Sequence, residues 1–128
     1  MCSVGARSDL MTYQINIIPP FQRTLVGTHA NGLLMKYALT PAKEGGLGLR
    51  RLQWCANADN KKSVGAAQRL GFKMEGILRW HRVLPEGKPG PWAEVDEKGP
   101  GRHTAFLSLC WDDWRNGDKE HVRTLMER

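Results

Sequence analysis

Two hydrophobic patterns, one alternating and one at helical spacing, divide the chain into predicted strands and helices. The stretch "MTYQINII" (residues 11–18) is rich in β-branched and aromatic residues and runs into Pro19-Pro20. It predicts a strand closed by a turn. After "FQRTLVGT", residues 28–39 place Leu33 with Tyr37 and Leu34 with Ala38 on shared faces. That spacing predicts a helix, with Thr28 as its cap. Pro41, Gly45, Gly46 and Gly48 then mark a loop.

In "RRLQWCA", Leu52, Trp54 and Ala56 alternate with Arg51, Gln53 and Cys55, which predicts a strand over residues 51–56. A helix over residues 61–70 follows, capped by Asn60 and stopped by a left-handed Gly71. "KMEGILRWHRVL" (residues 73–84) predicts another strand. Residues 85–103, dense in proline and glycine, predict an excursion. "TAFLSLCWDDW" (residues 104–114) predicts a last strand running into a turn, and "KEHVRTLMER" a short exposed helix with little reason to pack. The order strand–helix–strand–helix–strand–strand implies an α/β fold on a mixed sheet with at least one parallel crossover.

The length of 128 residues suits one domain or part of one. No apolar run would span a bilayer, and the first ten residues lack the core of a secretory signal. A cytoplasmic protein without a membrane partner is the expectation. The three cysteines, Cys2, Cys55 and Cys110, are odd in number and lack metal-ligand spacing. Neither a disulfide framework nor a zinc site is expected, and Cys55 and Cys110 are read as small buried hydrophobes. A net charge of +6 favours an anionic partner without choosing one.

Candidate chemistry lies at the two strand–loop–helix junctions. At the first, a helix N-terminus would expose backbone N–H groups to an anion, Arg23 could add a charge-assisted contact, and Gly27 would let backbone approach a ligand. The competing reading is an ordinary surface turn. At the second, if the two adjacent strands diverge, a wedge opens in which an extended ligand could pair with strand backbone. Asn60 could bond that ligand or merely cap its helix. Ser63 could present a hydroxyl near the reactive end or simply face solvent.

The order "PPFQRTLVGTHANGLLMKYAL … RLQWCANADNKKSVGAAQRLGFKMEGILRW" resembles the second half of a GCN5-related N-acetyltransferase (GNAT), in the branch of the ribosomal-protein N-terminal acetyltransferases. The resemblance rests on Asn60-Lys61-Lys62-Ser63, Leu70-Gly71-Phe72 and Glu75-Gly76, and covers residues 13–114. It implies a partial acyl-CoA N-acyltransferase fold and acetyl transfer from acetyl-CoA to an amine, either a protein N-terminus or a small molecule. It implies a short N-terminal segment (1–10), a cofactor-binding half (11–114) and a charged C-terminal tail (115–128). Gln22, Arg23, Thr24, Leu25, Val26, Gly27 and Thr28 would form the pyrophosphate loop, with Leu25 where the family's first glycine is expected. Asn60 would bind the cofactor arm.

Ser63 inherits the acid role that a helical tyrosine often fills; that position is Ala67 here. Backbone of residues 54–57 would donate to the oxyanion. No base is identified: the strand before the loop has no carboxylate, Asp9 lies just outside it, and His81 and His29 are read as structural as readily as chemical. The elements that usually shape the acceptor site precede this half and are not in the sequence. Completion by a homo-oligomer or by strand exchange, or a truncated non-catalytic relative, are therefore alternatives. A nucleic-acid-binding module is the rival, with Arg50, Arg51, Lys61, Lys62, Arg69, Lys73, Arg79 and Arg82 around Trp54 and Trp80. It is disfavoured because the tryptophans sit in apolar strand patterns.

Overall fold

The computed structural model describes residues 10–11, 15, 17–92 and 99–128. Four strands form one mixed sheet, β1 (Leu10–Met11), β2 (Arg51–Asn57), β3 (Lys73–Val83) and β4 (Gly101–Cys110), in the order β1-β2-β4-β3. β1 runs parallel to β2, while β4 is antiparallel to both β2 and β3. The helices α1 (Leu25–Leu39) and α2 (Lys61–Arg69) form the crossovers. After β4 come α3 (Trp111–Asp113), a wide helical turn (Trp114–Asp118) with Gly117 at φ 145°, and α4 (Lys119–Met126). The α/β class, the mixed sheet and the parallel crossover are as expected.

The alternation in β2 decides its faces. Leu52 and Ala56 are buried, and they meet Leu109 and Ala105 of β4 across the ladder. With Met35 and Ala38 of α1, Ala67 of α2, and Phe72, the residues Leu52, Ala105 and Leu109 form a core between the sheet and one helical layer. Burying a side chain such as Leu107 or Leu109 contributes about 1.5–3 kcal/mol. On the opposite face the Arg51 guanidinium grips Glu75 with two bonds, 2.7 and 2.6 Å, and the Ser108 hydroxyl donates to the same carboxylate at 2.6 Å. Arg51 first, then Ser108, holds the Glu75 carboxyl down at about 2, against an ordinary 4.5.

α2 begins and ends as its residues dictate. Asn60 Oδ1 accepts the Ser63 N–H at 3.0 Å. At the other end Gly71 takes φ 98°, Phe72 N–H reaches Ala67 O, and Gly71 N–H reaches Gln68 O, both at 3.0 Å. This is the Schellman closure that a glycine one residue past the helix favours.

Several expectations need correction. α1 starts at Leu25, so the expected cap Thr28 is buried inside the first turn, and Thr24 is the cap, accepting the Val26 N–H at 3.3 Å. The expected strand over residues 11–18 is described only in part. Met11 belongs to β1, Ile15, Ile17 and Ile18 have no regular structure, and residues 12–14 and 16 lie outside the described residues. Asp9 and Cys2 lie outside them too.

The C-terminal segment is not a loose tail. α4 buries Val122 and Leu125 against α1. That approach needs Gly32: a Cβ there would meet Val122 Cγ1 at 3.1 Å and collide with Met126. The charge of the segment hid a two-residue apolar stripe. Cys110 is half-buried and free, whereas Cys55 is half-buried and disulfide-bonded, not the buried thiol expected. Among the described residues, no helix is long and apolar enough to cross a membrane.

Candidate functional site

Among the described residues, β1 pairs with β2 only at Leu10↔Arg51 and Met11↔Leu52, whereas β2 continues to Asn57 against β4. Ile15 and Ile17, both outside regular structure, line the wall of a groove. That groove, of about 850 Å³, lies between the loop before α1 and the exposed face of α2.

The groove brings together residues far apart in sequence. From the first junction come Gln22, Arg23, Thr24 and Gly27; from the second, Asn60 and Ser63. Gln22 is anchored by its amide donating to Ile17 O at 2.9 Å, and Thr24 Oγ1 by donating to Phe21 O at 2.6 Å. Arg23 holds a left-handed backbone, φ 61°, at the turn into the helix. Gly27 leaves its side open, the nearest atom to a Cβ there being Ile17 Cγ1 at 3.8 Å. The other three candidates are not in the wall. Leu25 and Val26 are exposed, and Thr28 is buried. The expected loop of seven residues is thus a shorter loop, 22–24, followed by a helix turn, and the site lacks the glycine-rich loop geometry that Leu25 already put in doubt.

On α2 the small residues divide by face. Ala67 is fully buried against the sheet, while Gly65 and Ala66 are exposed in the groove, where nothing lies within 4 Å of a Cβ on Gly65. Lys62 and Arg69 flank them. With Arg23 they make a wall that, among the described residues, holds three cations and no carboxylate. Lys62, Ala66 and Arg69 recur at i, i+4 and i+7, so this face was available in the sequence as one helical stripe.

Ser63 is tied to the core. Its Oγ accepts the Trp54 indole N–H at 3.0 Å, and the Trp54 ring meets Phe72 edge-on at 5.6 Å. The lone pair engaged by Trp54 leaves the Ser63 O–H to donate, so the group can give a proton toward the groove. Neither histidine considered from sequence is in that wall. His81 bonds Thr104 Oγ1 at 3.0 Å and meets Phe106 edge-on, and His29 bonds Leu25 O at 2.9 Å. The basic aromatic surface does not assemble either, because Arg51 and Trp54 point to opposite faces of β2 and Arg51 is bound to Glu75.

No family model matches the chain, and a comparison with curated proteins finds no match. Solved structures do match it. A GCN5-related N-acetyltransferase from Brucella melitensis is 30% identical over 84% of this chain and 40% of its own, with a TM-score of 0.65. The fold is that of the GCN5-related N-acetyltransferases, present in part. A probable acetyltransferase of the GNAT family from Chromobacterium violaceum is 30% identical over 80% of this chain and 42% of its own, with a TM-score of 0.62. RimJ of Mycobacterium smegmatis, solved with CoA-disulfide, shares the fold at 13% identity and a TM-score of 0.67, over 95% of this chain and 49% of its own. The chain spans less than half the length of each of these three GNAT structures. None of these likenesses singles out the ribosomal-protein branch, since the likeness to RimJ is one of fold alone.

Proposed function

We propose that this chain binds acetyl-CoA in the groove between the α1 loop and α2 and transfers the acetyl group to an amine. The observation that supports it most is the meeting of Gln22, Arg23, Thr24 and Gly27 with Asn60 and Ser63 around one cationic groove. The residues present suit the cofactor. Arg23, Lys62 and Arg69 would bind its phosphates together with first-turn amides of α1 that have no partner within the helix. Backbone of β2 beyond Leu52 would pair with the amide groups of its arm. Bound acetyl-CoA supplies the activated acyl thioester.

The chain's own contributions are orientation, backbone donors along β2 for charge developing on the acyl oxygen, and the Ser63 proton for the leaving sulfur. Asn60 both caps α2 and stands beside Ser63, so its two candidate roles are compatible. A cytoplasmic location, and completion of the fold by a second copy or strand exchange, belong to the same proposal.

Thermal unfolding with CoA tests it first. At a hundredfold excess over its dissociation constant, CoA stabilises by about 2.7 kcal/mol, roughly a 10 °C rise in Tm. No rise at millimolar CoA would sink the reading. The partial coverage of the matched structures favours a second reading, a CoA-binding relative without catalysis. A Tm rise without acetylated product from any amine in a panel would select it.

A further inference from the structure

A second hollow, of about 610 Å³, adjoins the cationic groove, and Asn60 lines both. Its walls are Asn57 and Asp59 after β2, the Pro-Gly-Pro segment 89–91, and His103 at the start of β4. Among the described residues its charge is opposite to the groove's, with one carboxylate and neither lysine nor arginine. The Asp59 backbone is set by its own N–H donating to Asn57 Oδ1 at 3.0 Å, with Asn60 N–H to Asn57 O at 2.9 Å. Its carboxylate is exposed, and among the described residues no cation pairs with it. The Lys61 ammonium, two residues on, donates instead to Ala58 O at 3.1 Å. The facing wall is held in place: Gly101 N–H bonds Pro91 O at 2.6 Å, and a Cβ on Gly90 would strike Gly101 O at 2.5 Å.

Two groups here have restricted chemistry. His103 Nδ1 accepts the Trp80 N–H at 2.8 Å, so that nitrogen is unprotonated, the ring proton sits on Nε2, and His103 offers the hollow a donor and no base. Asp59 cannot usefully hold the nitrogen that is to be acetylated, because a carboxylate against an amine favours its protonated form, which has no lone pair for attack. It can usefully hold a different nitrogen of the same molecule. Resting on the acetyltransferase reading above, we infer that this hollow seats an acceptor amine bearing a second, cationic nitrogen, and that the Asp59 carboxylate binds that second nitrogen. A diamine or a peptide with a basic side chain near its amino group shares this chemistry.

The test is calorimetric binding of putrescine, of the dipeptide Ala-Lys and of butylamine to the CoA-loaded chain, in wild type, Asp59→Asn and Asp59→Lys. CoA-dependent Tm shifts are recorded on the same samples. Wild type binds putrescine or Ala-Lys more tightly than butylamine; Asp59→Asn weakens that binding roughly two- to five-fold, the range for a solvent-screened ion pair. Asp59→Lys weakens it further, and butylamine is unaffected. The preferred ligand of the two tells a diamine acceptor from a peptide. Equal affinity of wild type and Asp59→Asn for both putrescine and Ala-Lys, with CoA still stabilising the chain, overturns the inference alone. Asp59-dependent binding without any CoA-induced shift supports a dication site and overturns the acetyltransferase reading instead.

Discussion

Replacing Ser63 by Ala separates a structural hydroxyl from a catalytic one, because the two roles differ by orders of magnitude. In the structure Ser63 Oγ does one thing for stability, accepting the half-buried Trp54 indole N–H at 3.0 Å. Loss of that bond costs about 0.5–1.5 kcal/mol, and water reaching the half-buried indole keeps it toward the lower end. The Ser63 N–H bond to Asn60 survives the change, and alanine regains roughly 0.5 kcal/mol of helix propensity. The net loss is therefore below about 1 kcal/mol, a fall in Tm of no more than about 5 °C for a chain of this size.

If the hydroxyl donates the proton to the leaving sulfur, its removal lowers kcat by about 10²–10⁴ while leaving CoA binding intact. Steady-state acetylation, CoA-induced Tm shift and urea unfolding are measured on Ser63→Ala and on Trp54→Phe. The second variant removes the indole N–H together with part of a ring packed against the core, so it should lose at least as much stability as Ser63→Ala while keeping the Ser63 hydroxyl and most of the rate. A kcat for Ser63→Ala within two-fold of wild type would refute the proton-donor argument, whatever happens to stability.

Three further outcomes follow from the geometry. Asn60→Ala removes the cap of a nine-residue helix and should cost about 1 kcal/mol in urea unfolding, whereas Asn60→Asp should recover most of it. Arg23→Gly relieves a left-handed backbone, φ 61°, that costs a non-glycine residue about 1 kcal/mol. It should leave Tm unchanged or higher while raising the Kd for CoA several-fold, by an amount that shrinks in high salt. The Glu75 carboxyl, held at about 2, is deprotonated more readily in the folded chain than in the unfolded one, so its stabilisation is complete above about pH 4.5 and disappears as pH falls toward 2. Its side chain is 44% exposed, so solvent screening leaves about 1 kcal/mol of this, and Glu75→Gln should flatten the acid limb of urea unfolding by that amount.

Much of the fold was legible because its signals are local. Asn60 and Gly71 bound α2 within one residue of expectation, since capping and left-handed closure depend on residues within a turn of one another. The alternation in β2 correctly separated its buried Leu52 and Ala56 from Arg51. The cap of α1 was misplaced by four residues because Thr24 and Thr28 are both competent caps. Which of them wins depends on where the preceding chain turns, at Pro19–Phe21. The packing of α4 was missed because its two buried residues, Val122 and Leu125, are outnumbered by charges. Their burial depends on the bare flank of Gly32 ninety residues earlier in the chain.

By itself, the sequence determined the class of fold, the crossover order and the two junctions where ligand chemistry could sit, because periodicity, caps and turn residues act over a few residues. Only the tertiary structure decided which candidates meet. It drew Gln22, Arg23, Thr24, Gly27, Asn60 and Ser63 to one groove and left out Leu25, Val26 and Thr28. It added Lys62 and Arg69 to that groove and placed the Asp59 carboxylate in a neighbouring hollow. The physical reason is that both cavities are walled by segments far apart in the chain, whose meeting depends on everything packed between them, and no local pattern records it.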